Sequence, residues 1–292
     1  MKKKGRVSMK YVEVPVFDDM LLEFKEYLIE RENAASTIEK YMRDVKKFLN
    51  YMGEKKVFTK EDLLNYKAWL VKNYSINSVN SMLVALNQFL TSINLGRMKL
   101  KRLRQQKQML FQKGNELTKE EYQRLLCAAQ DQKKSQLVMM METICSTGIR
   151  VSELKFFCVE NVKSEIVKVW NKGKYRLVIL PKNLQKKLGI YAKKRKIRKG
   201  MIFQTRNGKE KNRSNIWKEM KQLAQKADVE PQKIFPHNLR HLFARTYYKV
   251  TKNLVNLADI LGHNHLEVTR IYASDGIEEW RREIDKLNLL QE

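Results

Sequence analysis

All four histidines of the chain fall within residues 235–272. They stand in His237-Asn238-Leu239-Arg240-His241 and in Leu261-Gly262-His263-Asn264-His265, and Tyr272 follows His263 by nine positions. His237 and Arg240 are three apart just after Pro236, a residue suited to the first turn of a helix, so both side chains project from one helix face. Gly262 reads as the C-cap of a helix over 253–261, which puts His263 in the turn that follows and residues 269–272 on the next short element. Histidine, arginine, histidine and tyrosine, with no carboxylate among them, suit attack on a phosphodiester by a phenol. Arginine neutralises the non-bridging oxygens bidentately, imidazoles donate hydrogen bonds or move protons, and the tyrosine oxygen becomes the covalent link. One guanidinium does not offset the charge of a pentacoordinate phosphorus, so a second arginine is expected elsewhere.

Arg150 meets that need, in Ser146-Thr147-Gly148-Ile149-Arg150-Val151-Ser152-Glu153-Leu154. Gly148 permits a tight turn after an apolar helix over 137–144, so Arg150 points from the start of the next helix. Glu153, three residues on and on the same face, is placed to hold the guanidinium by a charge-assisted pair from behind the site. His263 and His237 complete the polar set; His265 is read as a surface residue and His241 as a support beneath the site.

Thr147-Gly148-Ile149-Arg150-Val151-Ser152-Glu153-Leu154, then His237-x-Leu239-Arg240-His241, then Leu261-Gly262-His263 with Tyr272 nine residues on, in that order, resemble the tyrosine recombinases, the family of phage integrases and Xer-type recombinases. Each motif alone is weak, whereas three in order are specific. The resemblance covers the chain from about Leu117 to its end, and more loosely the helices before it. It implies attack by Tyr272 on a scissile phosphate to give a 3′-phosphotyrosyl DNA intermediate, resolved by the 5′ hydroxyl of a partner strand. Arg150 and Arg240 would clamp the phosphate, His237 would assist proton transfer and His263 would hydrogen-bond the phosphate. Each step exchanges one phosphoester for another, so no cofactor, nucleotide or obligatory metal is implied.

The elements that must position these residues divide over two domains, which 292 residues can supply with separate cores. A hydrophobic fraction of 43% excludes wholesale disorder. Lysine and arginine number 59 against 32 acidic residues, a net charge of +27 that a polyanion, ordinarily nucleic acid, would offset. Cys127, Cys145 and Cys158 lack Cys-x-x-Cys spacing, so neither a zinc site nor a disulfide framework is indicated. No apolar run approaches the ~18 residues of a membrane span. A cytoplasmic protein without membrane partners is expected.

Residues 1–14 read as a flexible basic start. Phe17, Leu21, Phe24 and Leu28 recur at helical spacing, a second helix opens at a capping box in Ser36-Thr37-Ile38-Glu39, a third at Thr59, and Val79, Met82, Leu86 and Phe89 mark a fourth. The resemblance makes this four-helix region, 15–95, a SAM-like core-binding domain that grips one side of the duplex. Residues 96–115 form a basic linker suited to passing close to phosphates, and 116–292 the catalytic domain. Within it, 166–170 and 176–180 read as strands of a hairpin with lysines at its tip. The family carries on such a hairpin a lysine that protonates the leaving 5′ oxygen. Here the tip reads Asn171-Lys172-Gly173-Lys174-Tyr175-Arg176, which departs from the commoner Gly-Lys-Gly-x-Lys-x-Arg and leaves Lys172 or Lys174; Lys172 is preferred because it directly precedes the turn glycine.

Residues 182–218 hold 14 lysines and arginines against Glu210 alone, on two amphipathic helices whose basic side suits DNA. Beyond Tyr272, Trp280, Ile284, Leu287 and Leu290 share one face of a helical tail, which either folds on its own domain or is lent to a neighbouring protomer. The expected architecture is mainly α with a small β-hairpin, a two-domain DNA clamp. The expected partners are double-stranded DNA and three further copies in a homotetramer on paired sites, with accessory DNA-bending proteins left open. A type IB topoisomerase, relaxing DNA as a monomer, and a non-catalytic DNA-binding protein are the other classes the residues allow. The target sequence, and the choice among integration, excision, inversion and resolution, are not legible.

Overall fold

Two compact units, Met1–Lys107 and Gln108–Glu292, divide the chain, each with its own apolar core. The computed structural model describes residues 12–13, 17–53, 55, 57–104, 115–171, 174–263 and 265–272.

The first unit comprises β1 (Val12–Glu13), α1 (Phe17–Glu30), α2 (Ala35–Met52), β2 (Val57–Phe58), α3 (Lys60–Asn73) and α4 (Ile76–Ser92), with β1 antiparallel to β2. Its helices bury the faces that their 3.6-residue periodicity marks: Phe24 and Leu28, Val45 and Phe48, Leu63, Tyr66 and Leu70, Val79, Leu86 and Phe89. α3 starts at a capping box, Thr59 accepting from the Asp62 N–H while the Asp62 carboxylate accepts the Thr59 N–H. α2 departs from expectation. It begins at Ala35, with Ala34 as N-cap and no side-chain cap, because the Ala34 carbonyl already accepts from the N–H groups of Thr37 and Ile38 and so draws Ser36 inside the first turn.

The start of the basic run is built into this unit. A 3₁₀ turn, Gly96–Met98, leads to the buried Leu100, whose N–H and carbonyl both pair with the Asn87 amide at 2.8 and 2.9 Å. Asn80 holds Leu103 in the same two-bond fashion, at 2.7 and 3.0 Å. Lys60 Nζ donates to the carbonyls of Met98 and Lys99. Two asparagines thus strap residues 99–103 along α4 as an edge strand would be held, and the basic side chains there are presented from a fixed backbone.

The second unit runs α5 (Lys119–Asp131), α6 (Ser135–Thr147), a 3₁₀ helix (Val151–Phe156), α7 (Val159–Val162), β3 (Ile166–Asn171), β4 (Lys174–Ile179), α8 (Lys182–Lys194), α9 (Arg213–Lys221), α10 (Ala224–Ala227), α11 (Pro236–Thr251) and α12 (Leu254–Leu261), then 3₁₀ turns at Leu266–Val268 and Arg270–Tyr272. α6 is apolar nearly all round, burying Leu137, Val138, Met139, Met140, Met141 and Ile144, and a helix of that kind belongs at the centre. It packs on α5, α8 and α11. Leu184, Leu188 and Tyr191 of α8 and Ile216 and Met220 of α9 face the core, leaving the lysines of both helices outward.

The hairpin pairs Ile166 with Ile179, Val169 with Arg176 and Asn171 with Lys174. Val167, Val169 and Val178 face the core, which obliges Arg176 to point inward with them and leaves Leu177 and Ile179 exposed. A smaller cluster gathers Ala244, Leu257, Leu261 and Tyr272. Among the described residues no helix is long and apolar enough to cross a membrane. The flexible start, most of the 1–14 segment, and the tail with Trp280, Ile284, Leu287 and Leu290 lie outside the described residues.

Candidate active site

The site begins where α6 stops. Gly148 caps the helix at φ +65°, and a Cβ there would come within 2.4 Å of Phe243 Cδ1, so the turn needs glycine both for its left-handed backbone and for room. The turn sets Arg150 at the mouth of the following 3₁₀ helix. Its N–H donates to Glu153 Oε2 at 2.8 Å and its Nη1 to Oε1 at 3.1 Å. The carboxylate is 1% exposed and the arginine 33%, so Glu153 is a buried anchor and Arg150 keeps donors open to solvent.

A third arginine shares that anchor. Arg176, the inward residue of β4, donates through Nη2 to Glu153 Oε2 and through Nη1 to the Ile260 carbonyl at 2.6 Å. Its side chain lies across Gly262, where a Cβ would be 2.5 Å from Arg176 Cδ. Burial by itself raises the Glu153 pKa, but Arg176, the Arg150 N–H and the Arg150 guanidinium outweigh it, and the net displacement is downward: the group is a carboxylate.

α11 supplies the other wall. His237, Arg240, His241 and Ala244 follow the i, i+3, i+4, i+7 spacing of one face. Arg240 is fully buried; Nη1 donates to the Gly148 carbonyl at 2.6 Å and Nη2 to the Leu261 carbonyl at 2.7 Å, so it ties together the ends of α6 and α12. Nη2 also lies 3.0 Å from His263 Nε2. Its Nε is buried without a hydrogen-bond partner among the described residues. Burial, then Arg150 and Arg176, depress its pKa. That is the signature of positive charge held short of counter-charge.

The same surroundings keep the histidines neutral. His263 is pushed down to about 4 by burial, then by Arg240, Arg150, His237 and Arg176. Its Nδ1 lies 2.8 Å from the hydroxyl of the fully buried Thr269. With Nδ1–H donated to Thr269, the Nε2 lone pair accepts from Arg240, so in this state His263 orients the guanidinium. His237 stands at the rim, its pKa lowered by partial burial and by Arg240 and Arg150. Tyr272 is buried against Ala244, Leu257 and Leu261, and its hydroxyl lies 2.7 Å from His241 Nδ1. Burial raises the phenol's pKa against the pull of Arg240, Arg245 and Arg150.

Arg150, Glu153, His237, Arg240, His263 and Tyr272 thus converge at the junction of α6, α11 and α12. His265 is exposed. Lys172 falls outside the described residues, as does the side chain of Lys174. Arg176, Thr269 and the contact of His241 with Tyr272 are members that motif spacing did not assign.

Comparison with known proteins matches the phage integrase family to residues 115–278 and the phage integrase N-terminal SAM-like domain to residues 21–93. The chain is 29% identical over 282 residues to tyrosine recombinase XerA of Pyrococcus furiosus, covering 94% of this chain and 95% of that protein. Among solved structures it is similar to XerH site-specific recombinase bound to its difH substrate before cleavage, at a TM-score of 0.67 and 17% identity, covering 97% of this chain and 92% of that one. A lambda integrase tetramer bound to a Holliday junction aligns at a TM-score of 0.69 and 15% identity, covering 92% and 80%.

Proposed function

The chain belongs to the phage integrase family of tyrosine recombinases, and on that premise we propose that it cuts and rejoins double-stranded DNA at specific sites through a 3′-phosphotyrosyl intermediate on Tyr272. The observation that carries the reading is a buried guanidinium, Arg240, whose Nε–H has no acceptor among the described residues, beside Arg150, His237, His263 and Tyr272. A bound anion would supply that acceptor, and Arg150, Arg176 and Arg240, gathered about the Glu153 carboxylate, leave net positive charge for it to offset.

In this mechanism a scissile phosphate supplies the missing acceptor. Arg150 meets one non-bridging oxygen with the donors it does not spend on Glu153, and Arg240 meets the other through Nε–H. The Tyr272 hydroxyl gives up its proton to solvent with the assistance of His237 as its oxygen bonds to phosphorus, the bond from phosphorus to the 5′ oxygen breaks, and Lys172 gives that oxygen a proton. His237, at the rim, moves the proton between substrate and solvent. Arrival of the phosphate's negative charge favours imidazolium at His263, which turns Nε2 from an acceptor for Arg240 into a donor to the phosphate. Reversal of the same steps, with the partner strand's 5′ hydroxyl as nucleophile, reseals the exchanged strand and conserves the phosphoester.

Reciprocal exchange between two duplexes requires four such sites, hence a homotetramer on paired DNA, in keeping with the tetrameric lambda integrase assembly of the same fold. The four-helix unit and the basic faces of α8 and α9 bind the backbone by counterion release, and the three free thiols suit a cytoplasmic protein. The test is a plasmid bearing two copies of a candidate site, inverted repeats around a short spacer taken from the DNA flanking the gene. Deletion or inversion of the intervening DNA is expected. Supercoil relaxation without exchange would instead indicate a type IB topoisomerase, and binding with neither would indicate a DNA-binding protein that has lost the chemistry.

A further inference from the structure

Among the described residues, His241 is a titratable side chain of the site to which the chemistry above gives no task. It projects from α11 on the same face as His237 and Arg240, its ring set edge-on to His237 at 4.4 Å, and its Nδ1 is 2.7 Å from the Tyr272 hydroxyl. The Tyr272 ring lies 5.4 Å from the imidazole and is otherwise wedged among Ala244, Leu257 and Leu261. A buried phenol requires a hydrogen-bond partner, and a histidine serving only that need is the plain alternative. Two features go beyond it. The partner is attached one residue from Arg240, so a single rigid helix turn sets both the guanidinium and the hydroxyl. Burial above all, then the neighbouring His237, Arg245, Arg240 and His263, against which a second charge on this ring would be repelled, push its pKa down to about 3. The imidazole therefore stays neutral and can accept a hydrogen bond.

We propose that His241 is a positioning residue for strand cleavage: with its proton on Nε2, it accepts the Tyr272 O–H through Nδ1 and holds the nucleophilic oxygen in register with the phosphate clamp. The inference rests on Tyr272 being the nucleophile. A hydroxyl whose hydrogen is turned toward Nδ1 keeps its lone pairs free for phosphorus. Tilting or releasing the ring would lose the alignment on which attack depends, and misplacement of a reacting group by about 1 Å costs on the order of 100-fold in rate. Asparagine can present its Oδ1 near the position of Nδ1 and accept the same hydrogen bond, whereas phenylalanine fills the space and accepts nothing.

The experiment compares single-turnover formation of the covalent adduct on a nicked duplex by wild type, H241N, H241F and H241A, with duplex affinity measured alongside. H241F and H241A are expected to form adduct about 100-fold more slowly with unchanged affinity, and H241N to recover to within about 10-fold of wild type. H241F matching H241N would show that packing alone is required and would overturn the proposal, as would H241N as slow as H241A. Imidazole ¹⁵N NMR of wild type gives a readout independent of variant folding: His241 carries its proton on Nε2, and Tyr272→Phe shifts the Nδ1 resonance. A proton on Nδ1 overturns the assignment. Wild type that forms no adduct on any duplex removes the strand-cleavage reading itself, a result distinct from adduct formation that is indifferent to residue 241.

Discussion

Glu153→Gln removes one charge and almost no volume, and the structure makes its consequence calculable. The carboxylate is 1% exposed and accepts from the Arg150 N–H at 2.8 Å, Arg150 Nη1 at 3.1 Å and Arg176 Nη2. Glutamine keeps the shape, but one of its two atoms becomes a donor facing guanidinium or backbone N–H groups, and both arginines lose their counter-charge. Breaking a buried pair in this way costs roughly 3–5 kcal/mol, a large part of the roughly 5–15 kcal/mol that holds a domain folded. The variant should fold, with its second unit markedly weakened.

The pH dependence has a definite sign. Glu153 has a folded pKa below its unfolded value of ~4.3. Its stabilisation is therefore fully present above that unfolded value and is lost as pH falls through the folded pKa. The gap between wild type and variant should be widest at neutral pH and close in acid. Urea unfolding followed by hydrogen exchange of the 135–147 peptide, which reports the second unit alone, measures it. Cleavage should fall by on the order of 100-fold, since Arg150 loses its anchor. A variant within ~1 kcal/mol of wild type at neutral pH, or a gap that does not change with pH, would refute the assignment of Glu153 as a charged anchor.

Gly262→Ala should cost roughly 1–3 kcal/mol and slow cleavage, because φ is +65° and the new Cβ would displace Arg176 from the Ile260 carbonyl; unchanged thermal stability would contradict this. Lys172→Ala should slow cleavage severely and be rescued by a bridging sulfur at the 5′ leaving position, since a thiolate departs without a proton; rescue confined to Lys174→Ala would move the acid to Lys174. Truncation after Gly276 removes Trp280, Ile284, Leu287 and Leu290, each able to contribute ~1.5–3 kcal/mol on burial. Single-site binding should survive while tetramers on paired sites disappear in sedimentation, and tetramers that still recombine would assign the tail to its own domain.

The sequence made the convergent set legible because helical spacing and glycine caps are local: Gly148 and Gly262 end α6 and α12 at φ +65°, as their positions implied, and bring Arg150 and His263 to Arg240. Arg176 was hidden by the opposite circumstance. Along β4 the apolar residues Tyr175, Leu177 and Ile179 look like the inward face, yet they are exposed while Arg176 turns in. Arg176 shares the inner face with Val178 and with Val169 opposite it, and it is held there by Glu153, 23 residues away, and by the Ile260 carbonyl, 84 away, partners that no local period reveals. His241 did carry a signal, being four residues after His237 on the face of Arg240. Its contact with Tyr272 required the turn after α12 to fold back, a tertiary fact. The basic run after α4 shows the same limit, since charge composition suggested a linker whereas paired asparagines 13 and 23 residues upstream hold its first part to the four-helix unit.

The central claim, that Tyr272 is the covalent nucleophile, is tested by trapping. A nicked duplex carrying the candidate site lets a short strand diffuse away after cleavage and leaves protein bound to the 3′ end. Denaturing electrophoresis followed by peptide mass spectrometry should find the DNA on Tyr272 in wild type and no adduct with Tyr272→Phe, whose affinity for the duplex stays near that of wild type because only the hydroxyl is lost. An adduct that persists in Tyr272→Phe, or one mapped to another residue, would contradict the account.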